Sequence, residues 1–323
     1  MKLVIQIPCY NEEKVLGTTL DSLPRQVPGC DVVEWLIIDD GSTDGTAEVA
    51  RDHGVNHVVR FRSHLGLASA FMAGLDACLK VGADIIVNTD ADNQYSAECI
   101  PNLLTPILQG RAEMVIGARP IEQIEHFSRT KKALQKLGSW AVRMASGTDV
   151  LDSPSGFRAI TRSAAMQLNV FTEYSYTLET IIQAGQKNLD VVSVPIQINR
   201  KVLRPSRLVK TVPSYVWRSF TTILRVFVVY QPMRFFSTVA LLPIIGGIVL
   251  CFRWLALFLF SDPTRARTPS LILAAILLVI GALLFALGLI GDQLAVNRRL
   301  LEDVQLRLRR IELDSGSEPG QQP

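Results

Sequence analysis

The stretch IIVNTDADNQYS, residues 85–96, decides how the chain is expected to fold. A short run with strand character leads into two acids, Asp90 and Asp92, and the residues that follow are polar. Short, almost continuously apolar runs are typical of strands buried on both faces of a parallel sheet. A strand that ends in this way delivers two carboxylates to the loop at its carboxyl end. In open α/β sheets, ligands bind at that end.

Similar runs rich in Val and Ile occur along the first 200 residues, and helical stretches lie between several of them. The runs are KLVIQI, VEWLIID, HVVRF, EMVIGA and VVSVPIQI, and the helical stretches are EEKVLGTTLDSL, SAFMAGLDACLK and CIPNLLTPILQG. This alternation predicts an α/β fold with a mostly parallel sheet and helices on both faces. Polar loops follow the first, second and fourth of the predicted strands.

Composition excludes several classes of protein. With 323 residues, 48% of them hydrophobic, the chain is long enough for one large core or two smaller ones. The formal net charge of +3 is too small to indicate a nucleic-acid-binding protein. The five scattered cysteines have no metal-like spacing, which predicts small buried thiols and a reducing compartment. The N-terminus, MKLVIQIPCYNEE, does not resemble a signal peptide.

The C-terminal third predicts two transmembrane helices, at about residues 236–260 and 269–291. Both are almost free of charge and reach the roughly 20 residues that a spanning helix needs. Lys and Arg are dense before the first span and after the second, and sparse in the connection SDPTRART. The positive-inside rule therefore predicts that both flanks are cytosolic, at a bacterial plasma membrane or its equivalent. The alternative is a buried hairpin of a soluble protein.

The expected organisation has four parts. They are an α/β domain at residues 1–210, juxtamembrane amphipathic helices at 211–234, the two spans within 235–292, and a cytosolic helix with a disordered tail at 293–323. Apolar residues at a 3–4 spacing in the last part predict a helix–helix contact and so a homo-oligomer. A helix lying on the membrane surface explains this spacing as well.

Asp90, Asp92 and the amide of Gln94 supply hard oxygen ligands at one strand end. Such ligands suit Mg²⁺ or Mn²⁺ and leave positions open for substrate phosphates. A cation there would neutralise the charge of a departing diphosphate. The alternative is a polar turn in which the two acids cap a helix.

Two further loops offer contacts to a nucleotide. The loop after the first strand contains Pro8, Tyr10, Asn11 and Glu12. The loop after the second strand contains Asp39 and Asp40, which are able to accept hydrogen bonds from a base or a ribose. Turn chemistry and helix capping also explain these residues. Neither GxGxxG nor GxxxxGK[ST] is present, so a dinucleotide fold and a P-loop are not supported.

In this order, IPCYNEE, IIDDGSTDGT, HLGLASAFMAGL, NTDADNQ and DSPSGFRA resemble the family 2 glycosyltransferases of GT-A fold. The closer resemblance, over residues 1 to about 210, is to the dolichyl-phosphate mannose synthase and bacterial polyprenyl-phosphate glycosyltransferase branch. It implies inverting transfer of one sugar from a UDP- or GDP-sugar to a polyprenyl phosphate. By this resemblance the metal ligands are Asp90, Asp92 and Gln94, and the nucleotide is bound by Pro8, Tyr10, Asn11, Glu12, Asp39, Asp40, Asp90 and Ala91.

A polyprenyl phosphate needs cations more than it needs a base. A phosphate monoester with a second pKa of about 6 is largely dianionic at neutral pH and is already nucleophilic. Candidate cations for the donor and acceptor phosphates are Arg119, Arg129, Lys131, Lys132, Arg158, Arg200, Arg204 and Arg207. Arginine suits bidentate contact with phosphate, although basic residues near a membrane also meet lipid headgroups, and Arg158 also suits a structural role.

Asp92, Arg119 and Glu179 are the candidate catalytic residues. The chain departs from the family pattern at His64, where Asn is usual, and at LRPSRL, which replaces R-x-x-G-x-S-K. Two other functions stay open. One is transfer to a hydroxyl of a lipid or glycan with Glu179 as the base, and the other is a catalytically inactive membrane scaffold.

Overall fold

The computed structural model describes residues 1–120, 129–170, 176–199, 227–260 and 268–315, with isolated positions between 217 and 225. The chain divides into two compact units. The α/β unit consists of Met1–Ser219 together with Val304–Pro323, and the hairpin unit is Phe220–Asp303. The end of the chain from Val304 onward thus belongs with the N-terminal part.

A seven-stranded sheet with the order β3-β2-β1-β4-β6-β5-β7 forms the centre of the α/β unit. The strands are β1 (Lys2–Cys9), β2 (Val32–Asp39), β3 (His57–Arg60), β4 (Ile85–Asn88), β5 (Met114–Ala118), β6 (Arg158–Thr161) and β7 (Val191–Pro195). β6 runs antiparallel to its neighbours β4 and β5, and the other paired strands are parallel. The predicted mostly parallel α/β sheet is confirmed.

Helices cover both faces of this sheet. They are α1 (Glu13–Ser22), α2 (Thr46–Asp52), α3 (Leu67–Lys80), α4 (Ile100–Leu108), α5 (Arg129–Ser146), α6 (Arg162–Gln167) and α7 (Tyr176–Gln186). Successive residues of a strand point to opposite faces. Ile5 of β1 accordingly joins the apolar cluster that contains Leu20 of α1 and Leu103 of α4. On the other face, Gln6 lies against Gly74 of α3.

The antiparallel strand β6 is not predicted by the sequence. It has only four residues, RAIT, and begins with a charged one, so it lacks the apolar run that marks its neighbours. Arg158 lies opposite Asn88, the last residue of β4. The start of β6 therefore lies at the carboxyl edge of the parallel strands, and the segment DSPSGF before it comes to the same edge.

Two long helices, α8 (Pro232–Phe260) and α9 (Thr268–Ser315), form the hairpin unit, although α9 extends beyond it. Both are long and apolar enough to cross a membrane. They pack antiparallel through glycines. A Cβ added at Gly281 would lie 2.4 Å from Ile244, and one added at Gly247 would lie 2.8 Å from Leu278. Small residues at such crossings let helix backbones approach closely in membranes.

The predicted spans lie within these helices, but α9 is longer than expected. It continues past residue 291 to Ser315 without a break. The residues after Gly291 include no Gly or Pro and are mostly good helix formers, so nothing ends the helix earlier. The predicted amphipathic helices at 211–234 lie largely outside the described residues, and the predicted disordered tail lies outside them from residue 316.

All five cysteines are free thiols. Cys9, Cys78 and Cys99 are buried, and Cys30 and Cys251 are partly buried. Burial raises the pKa of the Cys9 thiol and that of the Cys78 thiol, so both stay protonated and unreactive. The prediction of small buried thiols holds for these residues.

Candidate active site

The loop that carries Asp90 and Asp92 leaves the carboxyl end of β4 and is held by its own backbone contacts. Asp92 Oδ1 accepts a hydrogen bond from the backbone N–H of Gln94 at 3.1 Å. Asn93 takes a left-handed conformation, with φ of 53°, which Asn tolerates better than most residues. The side-chain amide of Asn199 donates to the carbonyl oxygen of Asn93 at 2.8 Å. As whole residues, Asp90 and Asp92 are partly exposed at this edge.

Asp90 lies among polar groups that restrict its carboxylate. A Cβ added at Gly156 would come within 2.9 Å of both Asp90 Oδ1 and the Tyr176 hydroxyl. The Tyr95 hydroxyl accepts a hydrogen bond from the backbone N–H of Gly156 at 3.1 Å and is itself hydrogen-bonded to Asp90. Desolvation, followed by the charge of Asp92, raises the pKa of Asp90 to about 6.

A buried hydrogen-bond network lies behind Asp90. The Asn88 amide donates to the carbonyl oxygen of Gly156 at 2.8 Å and to the Tyr176 hydroxyl at 3.2 Å. Gln6 in turn donates to Asn88 Oδ1 at 2.9 Å. Both amide side chains are fully buried. Because buried polar groups are costly to leave unpaired, this network fixes β1, β4, α7 and the DSPSGF segment relative to one another.

Arg119 lies at the same edge and is held by Asp152. Its Nε donates to Asp152 Oδ2 at 2.7 Å and its Nη2 to Asp152 Oδ1 at 3.0 Å, which is a bidentate pair. The backbone N–H of Arg119 also donates to Asp152. Burial lowers the pKa of Arg119, but Tyr95, Asp152 and Asp90 raise it more, so the guanidinium stays charged. Arg119 is therefore a fixed positive charge that acts on Asp90.

Arg158 is fully buried and bonded within the protein. Its guanidinium donates to Thr180 Oγ1 at 2.6 Å, to the carbonyl oxygen of Thr177 at 3.3 Å and to that of Ser155. Desolvation lowers the pKa of Arg158, and the charge of Asp90 acts in the opposite direction. In this arrangement Arg158 supports the site from behind, as its predicted structural role requires, and has no surface open to a phosphate.

The loop after β1 has a defined geometry. Asn11 takes a left-handed conformation, with φ of 54°, and its side-chain oxygen accepts a hydrogen bond from the backbone N–H of Thr43 at 2.9 Å. The backbone N–H of Glu12 donates to Thr46 Oγ1 at 2.9 Å. Pro8 is buried within β1, whereas Tyr10 is partly exposed. Of these residues, Tyr10 and Asn11 present the most surface to a ligand.

Asp40 fixes the loop that contains His64. Its carboxylate accepts hydrogen bonds from the backbone N–H groups of Leu65 at 2.7 Å and Gly66 at 2.9 Å, and lies 2.8 Å from His64 Nδ1. The His64 ring stacks on Tyr10, with centroids 3.9 Å apart. His64 therefore links the loop after β1 to the loop after β2, which is a specific role for a residue that departs from the family pattern.

Asp39 is fully buried. Its Oδ1 accepts a hydrogen bond from the backbone N–H of Ser42 at 2.8 Å. Within the described part of the chain its Oδ2 has no aligned hydrogen bond, although Arg60 Nε lies 3.1 Å away. A buried oxygen without a hydrogen bond is suited to accept one from a ligand.

The donor set at the edge of β4 suits a hard divalent cation. Desolvation, followed by the charge of Asp92, raises the pKa of Asp90, and a bound cation would favour the charged form of both carboxylates. Among the described residues, no group of three or more His, Cys, Asp or Glu side chains is placed to hold a metal ion. The remaining ligands would be amide, water or phosphate oxygens, as Mg²⁺ commonly arranges. Asp90, Asp92 and Gln94 therefore fit Mg²⁺ or Mn²⁺.

Other predicted residues lie elsewhere or outside the described part of the chain. Glu179 is buried in α7, one turn after Tyr176. Ala91 is buried, and its carbonyl oxygen accepts a hydrogen bond from Thr19 Oγ1 at 2.7 Å. The predicted basic residues whose side chains lie outside the described part are Arg129, Lys131, Lys132, Arg200, Arg204 and Arg207.

Several residues that shape the site were not singled out from the sequence. They are Asn88, Tyr95, Asp152, Gly156 and Tyr176. Asp152 and Gly156 lie in DSPSGFRA, a motif in which the sequence marks only Arg158 as a candidate. Asn88 carries a signal of its own, because an amide inside an apolar strand needs partners.

Two curated proteins show the extent of the similarity. The undecaprenyl-phosphate mannosyltransferase of Micrococcus luteus is 30% identical over 219 residues, which cover 64% of this chain and 88% of that protein. The undecaprenyl-phosphate 4-deoxy-4-formamido-L-arabinose transferase of Photorhabdus laumondii is 26% identical over 321 residues, which cover 95% of this chain and 92% of that protein. The second match extends through the hairpin unit.

Among solved structures, glucosyl-3-phosphoglycerate synthase from Mycobacterium tuberculosis has a similar fold. Its TM-score is 0.52 at 22% identity, and the match covers 70% of this chain and 78% of that one. At this identity the likeness concerns the fold alone, and it confirms the GT-A-like architecture.

The family model described as glycosyl transferase family 2 matches residues 4–169. This range is just over half of the 323 residues and contains the loops after β1, β2 and β4 as well as the segment before β6. Most of the residues that surround Asp90 thus lie within the range that the family model matches. The chain belongs to glycosyl transferase family 2 and is a glycosyltransferase.

Proposed function

We propose that the chain transfers one sugar, with inversion, from a UDP- or GDP-sugar to a polyprenyl phosphate at the cytosolic face of a membrane. The observation that carries this proposal is the pair Asp90 and Asp92 at the carboxyl edge of the sheet, in a chain with two helices able to cross a membrane. The relatives from M. luteus and P. laumondii are named for undecaprenyl phosphate, and the M. tuberculosis synthase was solved with Mn²⁺ and UDP.

The donor nucleotide would lie over the loops after β1 and β2. Tyr10 and Asn11 offer an aromatic face and an amide, and Asp40 keeps the neighbouring loop in place through its backbone hydrogen bonds. A divalent cation bound by Asp90, Asp92 and Gln94 would supply positive charge opposite the donor diphosphate. Together these residues would form the binding site for the donor nucleotide.

The acceptor phosphate would attack the anomeric carbon from the face opposite the diphosphate. The new carbon–oxygen bond forms as the bond to the diphosphate breaks, which inverts the configuration. The acceptor is a phosphate dianion, so no side chain has to remove a proton. Arg119, held by Asp152, contributes a fixed positive charge near Asp90. The basic residues near 129–132 and 200–207 stay candidates for binding the acceptor phosphate.

The test is a transfer assay on the full-length protein in detergent. Labelled UDP- and GDP-sugars are supplied with undecaprenyl phosphate and Mg²⁺ or Mn²⁺, and the product is separated as a lipid-linked sugar. Asp92→Ala should abolish transfer and leave the protein folded and membrane-bound. Asp52→Ala is the matched control, because Asp52 is an exposed carboxylate at the end of α2. Full activity of Asp92→Ala, or of the wild type in EDTA, would disprove the proposal.

The same assay separates the alternatives. Labelled product with diacylglycerol or a glycan, and none with undecaprenyl phosphate, would indicate a hydroxyl acceptor. Glu179→Gln should then lower the rate, since a hydroxyl needs a base. Binding of a nucleotide sugar without turnover on any acceptor would indicate an inactive scaffold.

A further inference from the structure

The ends of β2 and β3 bring an acid and an arginine together. Asp39 is the last residue of β2 and Arg60 is the last residue of β3, and the two lie opposite each other in the parallel ladder. Arg60 Nε lies 3.1 Å from Asp39 Oδ2. The side chain of the acid is fully buried, whereas that of the arginine is 47% exposed. The pair therefore lies at the carboxyl edge of the sheet with its cationic side towards solvent.

Asp39 has one carboxylate oxygen left to accept a well-directed hydrogen bond. Its Oδ1 accepts from the backbone N–H of Ser42 at 2.8 Å. Its Oδ2 has no aligned hydrogen bond among the described residues, because the contact with Arg60 Nε is close but poorly directed. A buried acceptor without a partner is costly, so a ligand N–H aimed at Oδ2 would gain binding free energy.

The groups beside this oxygen are donors. Arg60 Nη2 donates to the carbonyl oxygen of Ser42 at 3.1 Å, and a guanidinium has more N–H groups than its contacts here use. The Ser42 hydroxyl accepts from the backbone N–H of Asn11 at 2.9 Å, and within the described ranges its own proton has no acceptor. The surroundings of Asp39 thus offer one acceptor with donors next to it.

This pattern is complementary to one edge of uracil. The N3–H group of uracil is a donor with a carbonyl oxygen on each side. With N3–H on Asp39 Oδ2, the two carbonyl oxygens would meet the donors of Arg60 and Ser42. Guanine presents one carbonyl and two adjacent donors, N1–H and the N2 amino group. In the same position its amino group would face donors, and a polar group left unpaired in this way weakens binding.

From these contacts we infer that the Asp39–Arg60 pair selects uracil, so that the donor is a UDP-sugar and not a GDP-sugar. Asp39 binds N3–H of the base, and Arg60 is a specificity-determining residue that donates to a carbonyl of the base. This inference rests on the nucleotide sugar of the proposed function but not on the acceptor.

The first test needs no variant. Isothermal titration of the full-length protein in detergent with Mg²⁺ would compare UDP, GDP and UDP methylated at N3, which keeps both carbonyls but lacks the N–H. We expect UDP to bind roughly 10-fold to 100-fold more tightly than the other two, the effect of one unpaired buried group. GDP or the methylated UDP binding as tightly as UDP would overturn the inference, and so would the absence of binding by all three.

Asp39→Asn should reverse the preference at the centre of the edge. The amide oxygen would keep the hydrogen bond from Ser42, and the amide NH₂ group would replace Oδ2 with a donor. This donor repels N3–H of uracil but suits N3 of cytosine, which is an acceptor. The affinity for CDP relative to UDP should therefore rise about 10-fold or more over the wild-type ratio. An ion pair that only joined the ends of β2 and β3 would leave this ratio unchanged, which would contradict the inference.

Arg60→Met tests the arginine, because methionine keeps an unbranched apolar stem and has no N–H to donate. It should raise the Kd of UDP about 10-fold, as expected for a lost hydrogen bond from a charged donor. Arg62→Met is the matched control, since Arg62 is an exposed arginine two residues further along the same loop. Thermal unfolding of both variants would show that each is folded. Equal UDP affinities of the two folded variants would remove Arg60 from the proposed pair.

The inference and the proposed function fail separately. If sugar passes to a polyprenyl phosphate from a GDP-sugar and not from a UDP-sugar, the inference is wrong and the proposed function stands. If the protein binds UDP selectively but transfers sugar to no polyprenyl phosphate, the proposed function is wrong and the selection of uracil stands.

Discussion

Gly156 shows how little space surrounds Asp90. Asp90 and the Tyr176 hydroxyl both lie 2.9 Å from the position of an added Cβ, so even a methyl group there would collide with both. The backbone of Gly156 also donates to Tyr95 and accepts from Asn88. Because these contacts fix the backbone, the collision would have to be relieved by the side chains of Asp90 and Tyr176.

We expect Gly156→Ala to displace the Asp90 carboxylate and to lower the transfer rate roughly 100-fold, the loss typical of a misplacement of about 1 Å at a catalytic site. Gly138→Ala is the control, because no atom of the described residues lies within 4 Å of a Cβ added at Gly138. Transfer rate and thermal unfolding would be measured for both variants. A rate for Gly156→Ala equal to that of the control would show that Asp90 needs no fixed position.

His64 stacks on Tyr10 and lies beside Asp40, so it connects two loops of the proposed nucleotide site. We expect His64→Ala to weaken binding of UDP or GDP between about twofold and tenfold, the range of one aromatic pair. Isothermal titration of the purified protein would measure this. His57→Ala is a suitable control, since His57 begins β3 at the opposite edge of the sheet. Equal nucleotide affinities of the two variants would exclude this role.

At the scale of elements, the sequence predicts those strands that have an apolar run of their own. The Val- and Ile-rich runs predict β1 to β5 and β7, because each carries its own apolar signal. The carboxyl ends of parallel strands meet at one edge, so Asp90 and the loops after β1 and β2 are also predictable as one site. The sequence does not predict the Arg119–Asp152 pair, because that pair depends on the position of β6. Only the antiparallel return of this short strand brings Asp152 to the edge.

Close packing in the hairpin unit also depends on contacts that the apolar pattern does not reveal. We expect Gly281→Ala to destabilise the packing of α8 and α9 by about 1–3 kcal/mol, because the new Cβ would lie 2.4 Å from Ile244. Gly246→Ala is the control, since its nearest neighbour would be an ordinary 3.6 Å contact with Leu277. Thermal unfolding in detergent would compare the two. Similar melting temperatures would contradict the tight contact.

At the scale of the whole molecule, the last helix contributes to the α/β unit. Arg309 donates to the carbonyl oxygens of Met166 at 3.2 Å and Leu168 at 2.9 Å, and it forms an ion pair with Asp76 at 3.1 Å. These carbonyls lie at the end of α6. Residues 304–315 belong to the segment 293–323, which the sequence predicts as a cytosolic helix with a disordered tail. Through Arg309 they are attached to the domain that contains the candidate site.

We expect Arg309→Gln to release this attachment. Hydrogen bonds from a charged donor contribute about 1.5 kcal/mol or more, so amide exchange in residues 304–315 should become about tenfold faster. Hydrogen–deuterium exchange of the full-length protein would measure it, with Arg310→Gln as the control because Arg310 is exposed. Unchanged exchange would mean that other contacts hold the segment.

The loops after β2 and β3 have a consequence for changing the donor that the protein uses. A Cβ added at Gly41 would lie 2.5 Å from the backbone of Ser63, and Asp40 binds the backbone of Leu65 and Gly66. The loop after β2, which contains Asp40 and Gly41, therefore fits closely against the loop after β3, which contains His64. Grafting only one of them from a relative with another nucleotide preference would leave a mismatched backbone, so a transplant of specificity would have to exchange both loops together.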